Sequence, residues 1–508
     1  MSFIIDLLNG SDVPIGDGPL TNVLNVSVGE ALDEAGQSQC GLPATDYRAA
    51  TLIDQAAKFR VRFDDGTLVY GLIAGDTIDA ASEQPTRQVQ GFDLLAELGN
   101  KSIGWWCYYE ASDINTVILP DVLTGTNWSL GTVEAGLGNF TQRFDGDSRL
   151  AALIKLTQQS NGKHFRQGST RRTLDFGSFG TVLPVRVTNV QHALRAQDAN
   201  AAIAIIGSLQ LTSDRAAVVH RIYPWGAGDD NGNVHREKVS LWYLPHAGMF
   251  DPDGTVVTDA RWANIGIAPG VRGAVTTITN VQDIGDGTNN LYLVGSTAGF
   301  MTWPIQQLAW VRNPADLTQA LGFNFVPAII FDSTSLEVHG SPNIPAPAAA
   351  GDTLYGNPQL YLQTADYDPN DPREAVVIFN DVKSMSSNAS DLSSVAPQLY
   401  LRAKRYLDTH SAPQRTYQLS VLRAPYTLRV GDKVRVIYRG AVTRRGVTVN
   451  WIDLDEELYL IKITRTFNAD GSTAATLDVS NIDAQPLSDV SALADNSGQV
   501  GAIAVNAN

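Results

Sequence analysis

The sequence predicts a mainly β protein with α+β elements and several domains. We expect two small β-barrels related to each other, a helix-containing domain and a β-rich insertion. The chain has 508 residues, and a prior of roughly 150 residues per domain gives about three or four domains. Its 44 glycines and 23 prolines suit many turns between short strands. Stretches with the apolar alternation of strands lie near both ends, at 58–73 and 416–479.

Residues 1–104 are expected to form an N-terminal barrel. The alternating runs 58–63 and 67–73 flank Asp64-Asp65-Gly66. Because Asp-Gly tolerates the positive φ of a tight turn, this pattern predicts a hairpin. An opening strand is expected at 20–28, and 88–98 is typical of a strand that ends in a short helix.

Residues 105–245 predict an α+β domain. Ser148 can cap a helix near 148–160, in which Leu150, Leu153 and Ile154 keep helical spacing before a stop at Asn161-Gly162. Strands are expected next, at 163–165 and 172–176. The following segment, 246–390, is rich in Gly, Thr, Asn and Pro and predicts a β-rich inserted region, with an extended linker at 341–351.

A second helix and a second barrel are expected in residues 391–482. Val395, Leu399 and Ala403 fall on one helical face, and Pro397 suits the first turn. The barrel follows from Thr416, with a hydrophilic stretch inside it. Residues 483–508 are small and polar and predict a C-terminal arm.

The composition argues against several classes of function. A formal charge of -16 disfavours sequence-specific nucleic-acid binding, because phosphates require clustered Lys and Arg. The basic clusters at 166–172 and 439–445 are interpreted as solvated strand ends or loops. No apolar window reaches the roughly 18 residues of a membrane span. The N-terminus lacks the basic start of a signal peptide, so we expect synthesis and folding in the cytoplasm.

The sequence predicts no catalytic, cofactor-binding or metal-binding residues, and hence no enzyme. Cys40 and Cys107 have no metal-site spacing, and the seven histidines are scattered. The loops 229–233 and 366–371 do not place glycine at the sixth position, as a calcium loop requires, and are interpreted as surface turns. The acidic pairs 64–65 and 456–457 are also assigned to turns. The aromatic cluster 105–109 favours a core or subunit-interface strand over a sugar-stacking surface.

The order of these parts resembles that of phage tail baseplate hub proteins. The resemblance covers about 1–245 and 390–482, and the segments that carry it are 32–36, 64–73, 90–95, 127–131, 148–160, 221–226, the helix ending at Leu407, and 426–434. It implies a homotrimer that forms a ring of pseudo-sixfold shape, with two related barrels per subunit. It also implies a location in the virion, at the tail tip, beside the distal tail protein, the tape-measure protein and tip fibre or spike proteins, with DNA passing through the ring.

Two other functions stay open at this point. One is a tail-associated cell-wall hydrolase with its site in 246–390. The other is a carbohydrate-binding receptor module, which the Gly/Thr/Asn-rich middle and the residues Trp262, Trp303 and Trp310 suggest.

Overall fold

The computed structural model of the chain describes residues 3–482 with gaps. The residues outside the description are 1–2, 47–50, 64–66, 81–83, 161, 191–201, 216, 228–238, 247–258, 270–274, 284–289, 299, 301–305, 313–319, 327, 339–348, 357, 387, 423, 426, 446 and 483–508. The predicted turn at 64–66 and the predicted arm at 483–508 therefore lie outside it, as does most of the predicted linker at 341–351.

The first six strands form an antiparallel sheet in the order β1-β4-β5-β6-β3-β2, which we call barrel 1. Backbone hydrogen bonds between Ile5 and Leu20, of 3.2 and 2.7 Å, bring β1 back towards the stretch before β2. The predicted hairpin is confirmed, because β4 and β5 pair on either side of the expected turn. The strands are β1 Phe3–Leu8, β2 Asn25–Ala31, β3 Gln37–Pro43, β4 Lys58–Phe63, β5 Leu68–Asp79 and β6 Thr86–Phe92.

A mixed segment connects barrel 1 to the rest of the chain. Its strands form a two-stranded sheet, β7-β9, and a three-stranded sheet, β10-β11-β8. The predicted helix is confirmed, and the hydroxyl of Ser148 accepts a hydrogen bond from Ala151 N at 3.1 Å. The elements are β7 Cys107–Asp113, a π-turn at Ile114–Ile118, α1 Leu119–Leu123, β8 Ser129–Val133, β9 Asn139–Phe144, α2 Arg149–Gln159, β10 His164–Gln167 and β11 Thr173–Gly177.

The chain then begins a second barrel with β12 (Val182–Thr188) and β13 (Ala202–Asp214). A long insertion follows before the barrel resumes. The insertion contains a four-stranded sheet, β15-β23-β14-β24, and a seven-stranded sheet, β19-β18-β22-β16-β17-β21-β20. Its strands are β14 Arg221–Gly226, β15 Gly266–Pro269, β16 Val275–Asp283, β17 Asn290–Val294, β18 Gln306–Val311, β19 Ala320–Val326, β20 Ala328–Asp332, β21 Ser335–Val338, β22 Thr353–Gly356, β23 Pro358–Gln363 and β24 Glu374–Phe379.

The insertion ends with the long helix α3, Ala389–His410. The prediction that Pro397 lies in the first turn is wrong, because the helix begins eight residues earlier, at Ala389. Proline inside a helix leaves the carbonyl four residues before it without its usual amide donor. Burial of Val395, Leu399 and Ala403, each 0% exposed, offsets this loss. Short 3-10 turns lie at Ile53–Gln55, Leu94–Leu98, Leu241–Tyr243 and Ala260–Asn264.

Four strands after the insertion complete barrel 2: β25 Gln414–Leu422, β26 Lys433–Arg444, β27 Val447–Asn468 and β28 Thr473–Ser480. With β12 and β13 they form a closed ring in the order β27-β26-β12-β13-β25-β28, because β28 pairs again with β27. The predicted hydrophilic stretch inside the barrel is the end of the long β26–β27 hairpin. The strands β12 and β13 lie within 105–245 in sequence but belong to this barrel.

Among the residues that the structure describes, buried apolar side chains form four separate cores. One core draws all its residues from 219–407 in the insertion, and another draws all of its residues from 94–176. The remaining two fill barrel 1 and barrel 2. The domain boundaries at 104, 245, 390 and 482 stay predictions.

The two barrels have the same strand order. When the strands are numbered one to six within each barrel, barrel 2 follows the closed order 1-2-3-6-5-4. Barrel 1 follows the same order, but β1 and β2 do not pair, and only a bridge from Ile5 of β1 to Leu20, ahead of β2, links that side. The fourth strands also match in sequence, since Lys-Phe-Arg-Val-Arg-Phe in β4 corresponds to Lys-Val-Arg-Val-Ile-Tyr in β26. The first strands differ in direction, because β1 is antiparallel to β4 whereas β12 is parallel to β26.

Candidate functional site: the barrel joint and two uncovered strand flanks

The two barrels are joined edge to edge by β2 and β27. Seven residue pairs run antiparallel, from Asn25 opposite Asn468 to Ala31 opposite Lys462. The hydroxyls of Ser27 and Thr466 lie 2.8 Å apart across this joint. Arg465 donates to Glu30 Oε1 at 2.9 Å and to the carbonyl of Leu428 at 2.8 Å. The joint therefore combines a continuous sheet with an ion pair between a buried arginine and an exposed glutamate.

The joint depends on where β26 ends along β27. β26 pairs with residues 447–459 of β27, and β28 covers the opposite flank over 459–467. Beyond Tyr459 the β26 side of β27 would present unpaired backbone groups, which favour pairing with another strand. β2 occupies that flank.

In barrel 1, the corresponding strand, β5, leaves such a flank uncovered. β4 pairs with β5 only over 68–72, and β6 covers the opposite side over 72–79. Within the described part of the chain, no strand pairs with the β4 side at 75–78. Ile78 on this stretch is 59% exposed.

A second uncovered flank lies on β13. β12 pairs with it only over 202–205, while β25 covers the other side from Ile205 to Asp214. Among the residues that the structure describes, no strand pairs with the β12 side at 210–213. Leu211 on this stretch is 44% exposed. Among the residues that the structure describes, each barrel thus carries an uncovered flank with an exposed aliphatic side chain.

A buried four-charge network connects barrel 1 to the mixed segment. Lys58 Nζ lies 2.8 Å from Asp12 and 2.7 Å from Glu97, and Arg172 lies 2.7 and 2.6 Å from the same two carboxylates. Burial works to raise the carboxyl pKa values, but hydrogen bonds from Arg172 and Lys58 outweigh it and hold the pKa of both acids below their usual range. The network stays charged at neutral pH.

The interpretation of the cluster 166–172 as solvated is therefore wrong for its buried members. Arg172 is 9% exposed, and Arg166 lies 3.3 Å from Asp432 of barrel 2. Asp432, beside Arg166, and Asp12, beside Arg172, come from distant parts of the chain, so the cluster links modules. At 439–445, Arg439 is exposed and lies 3.4 Å from Asp453 across the β26–β27 hairpin. Arg445 lies in the turn at its end.

Asp93 is a buried carboxyl at the end of β6. It accepts hydrogen bonds from Leu95 N and Gly36 N, both at 2.9 Å, and it is 5% exposed. Burial raises its pKa to about 8, although the two amide donors act in the opposite direction. The native protein therefore holds a proton that an exposed aspartate releases near pH 4.

The buried Asp93 carboxyl should make the free energy of unfolding depend on pH. The unfolded chain loses the Asp93 proton from about pH 4, whereas the native chain keeps it until about pH 8, so the contribution of Asp93 to stability falls as pH rises through that window. Asp93→Asn should gain stability relative to the parent across the same range, measured by urea unfolding at successive pH values. A difference that is constant with pH would contradict this prediction.

Asp113 provides the matched control for Asp93. It also caps a helical turn and accepts a hydrogen bond from Thr116 N, at 2.8 Å, but those hydrogen bonds lower its pKa. Asp113→Asn should therefore show no change of slope between about pH 4 and pH 8.

The histidines do not form a metal site within the described residues. His164 Nδ1 lies 2.5 Å from Asp33 Oδ2, and its Nε2 lies 3.4 Å from Arg405. These groups line a cavity of about 290 Å³ between α2 and α3. His410 lines the same cavity, and burial lowers its pKa. The ring of His164 is thus held between a carboxylate and a guanidinium.

The acidic pairs, the two acidic loops, Cys40 and the aromatic cluster lie in different parts of the structure. The pair Glu456-Glu457 lies within β27, so its assignment to a turn is wrong; 64–65 and 229–233 lie outside the described residues. Residues 366–371 do form turns. Cys40 is buried, which raises its pKa to about 12. In the aromatic cluster, Tyr109 enters the core while Trp105 is 90% exposed.

Of the three tryptophans that suggested a carbohydrate module, Trp262 is 1% exposed and donates to the Pro245 carbonyl at 3.2 Å. It therefore cannot stack on a sugar. Trp303 lies outside the described residues, and Trp310 belongs to β18. No helix in the described part of the chain is long and apolar enough to span a membrane.

Sequence reasoning missed the barrel joint and the two uncovered flanks. The repeated Lys-x-Arg-Val pattern of β4 and β26 is a signal that could have indicated corresponding strands. No local signal marks the flanks, because they depend on where neighbouring strands end.

No protein-family model and no curated protein matches the chain. Among solved structures, it is similar to the 43 kDa tail protein of prophage MuSo2 from Shewanella oneidensis, with 11% identity, a TM-score of 0.45 and coverage of 94% of this chain and 97% of that one. The tail protein from Neisseria meningitidis MC58 gives 11% identity, a TM-score of 0.45 and coverage of 95% and 97%. The prophage tail protein gp18 from Listeria monocytogenes EGD-e gives 10% identity, a TM-score of 0.43 and coverage of 97% of this chain and 99% of that one. All three are tail proteins.

Proposed function

We propose that this protein is a structural, non-enzymatic component of a phage tail tip, a baseplate hub whose copies form a ring around the tail axis. The observation that carries the proposal is the presence in one chain of two barrels with the same strand order, joined edge to edge. Two corresponding units per chain give a ring of three copies six similar positions, which is the pseudo-sixfold shape implied by the sequence resemblance.

The architecture suits a rigid ring wall. A closed barrel has few free sheet edges, and its strands hold each other in fixed register. The insertion has its own core and its own sheets, so it can project from the ring without altering the barrels. We assign to it contacts with tip fibres or spikes, and to the ring contacts with the distal tail and tape-measure proteins.

The charge of the chain is compatible with a DNA passage. Each copy has a formal charge of -16, and like charge repels the phosphate backbone. A ring of such copies would let DNA slide through its channel.

The test is the mass and shape of the purified full chain. Light scattering after gel filtration should give three times the 54.7 kDa of one copy, and negative-stain images should show rings. A monomer at all concentrations, or hydrolysis of cell walls in a zymogram, would overturn the proposal.

A further inference from the structure

We infer that the uncovered flank of β5 in one copy pairs antiparallel with the uncovered flank of β13 in the next copy. The partner is a second copy of this chain, and the contact would repeat between copies the joint that β2 and β27 make within one copy. This inference rests on the proposed ring and specifies its interface residue by residue.

We align β5 with β27 through their pairing with the sixth strand of each barrel, which is β6 in barrel 1 and β28 in barrel 2. β5 pairs with β6 from Leu72 opposite Phe92, and the register shifts between Ile73 and Gly75. β27 pairs with β28 from Tyr459 opposite Ser480, and the register shifts between Leu460 and Lys462. Both strands therefore carry an irregularity one residue after the first pair, and Gly75 corresponds to Lys462.

We align β13 with β2 through their pairing with the third strand of each barrel, which is β3 in barrel 1 and β25 in barrel 2. β3 pairs with β6 from Gln37 opposite Phe92, as β25 pairs with β28 from Thr416 opposite Ser480. Ser27 faces Gln39 in barrel 1, and Gln210 faces Gln418 in barrel 2. Because Gln39 and Gln418 are equivalent in this register, Gln210 corresponds to Ser27, and Leu211 corresponds to Val28.

Transferring the joint onto the uncovered flanks gives a definite register. Within one copy, Val28 lies opposite Arg465. The corresponding pair between copies is Leu211 opposite Ile78, followed by Thr212 opposite Thr77 and Ser213 opposite Asp76. No two carboxylates face each other directly in this register, so it carries no like-charge pair.

The exposure of the two central residues fits this pairing. Val28 and Arg465 are both 8% exposed at the joint within the chain, whereas Ile78 is 59% and Leu211 is 44% exposed. A cross-strand aliphatic pair would remove both side chains from water. Since one flank belongs to barrel 1 and the other to barrel 2, the contact is head to tail, which is the arrangement that closes rings.

Cysteine cross-linking tests the register directly. In a Cys107→Ser background, Ile78→Cys combined with Leu211→Cys should give covalent oligomers after mild oxidation, seen on a non-reducing gel. Each single variant should give none through this contact. Thr77→Cys combined with Leu211→Cys is the register control, because neighbouring residues of a strand point to opposite faces; it should cross-link at least about tenfold less.

A second measurement separates interface from fold. Leu211→Lys should shift the purified protein towards monomer while its circular dichroism spectrum stays that of the folded parent, since the side chain is exposed in the single chain. Its melting temperature should fall only by the stabilisation that association gives the parent. Val376→Lys is the matched control, because Val376 is 66% exposed but lies on β24 of the insertion; it should leave the oligomer intact. Rings that form without the Ile78–Leu211 cross-link and survive Leu211→Lys would overturn the inference while leaving the hub proposal standing. A parent protein that is only monomeric would remove both.

Discussion

Replacing Arg172 with methionine should destabilise the protein by about 3–5 kcal/mol, the usual loss when one partner of a buried ion-pair network is removed. Arg172 lies 2.7 Å from Asp12 and 2.6 Å from Glu97, and its side chain is 10% exposed. Without it, Lys58 would be the cation that both carboxylates share, and Arg171 would still contact Asp12 from a more exposed position. Urea unfolding at pH 7 measures the loss.

Arg171→Met is the matched control for this experiment. Arg171 also contacts Asp12, at 2.6 Å, but its side chain is 34% exposed. Pairs of that kind contribute at most about 1 kcal/mol. Equal losses of unfolding free energy in Arg172→Met and Arg171→Met would show that the buried network stabilises the fold no more than an exposed ion pair does.

Arg172→Met should also make the protein less stable to acid. The pKa of Asp12 and of Glu97 is held below its ordinary value, so their contribution to stability is present above about pH 4 and is lost as pH falls through the native pKa values. Arg172→Met removes a cation that lowers both pKa values. The acid unfolding midpoint should therefore move to higher pH than in the parent or in Arg171→Met.

Features set by neighbouring residues could be predicted from the sequence. The β4–β5 hairpin and the helix α2 with its Ser148 cap are examples, because their periodicity and punctuation lie within a few residues. The start of α3 could not be placed, since Pro397 looks like a first-turn residue when the burial of the surrounding face is unknown.

Features that depend on distant pairing could not be predicted. β12 lies parallel to both β13 and β26, and nothing in its own residues distinguishes those partners. The contacts of Arg166 with Asp432 and of Arg172 with Asp12 could not be predicted either, because each joins residues of different modules. The candidate interface is harder still, because it consists of strand flanks that become visible only when the ends of β4 and β12 are known.

Trp262→Ala should unfold the insertion before the barrels. Trp262 is 1% exposed, and its ring lies 5.9 Å from that of Trp242 and 5.6 Å from that of His246. Truncating a buried tryptophan costs about 3–5 kcal/mol. Because the core around Trp262 draws all its residues from 219–407, the loss should appear as a separate low-temperature transition in calorimetry.

Trp451→Ala provides the same substitution at a residue that is 57% exposed, where a change of less than about 0.5 kcal/mol is expected. A single transition that moves as a whole in Trp262→Ala would mean that insertion and barrels unfold as one cooperative unit. In that case the insertion could not act as a module that projects from the ring. Two transitions would support the proposed module if the protein keeps the mass of the ring at temperatures between them. The insertion could then vary its contacts while the barrels keep the ring closed.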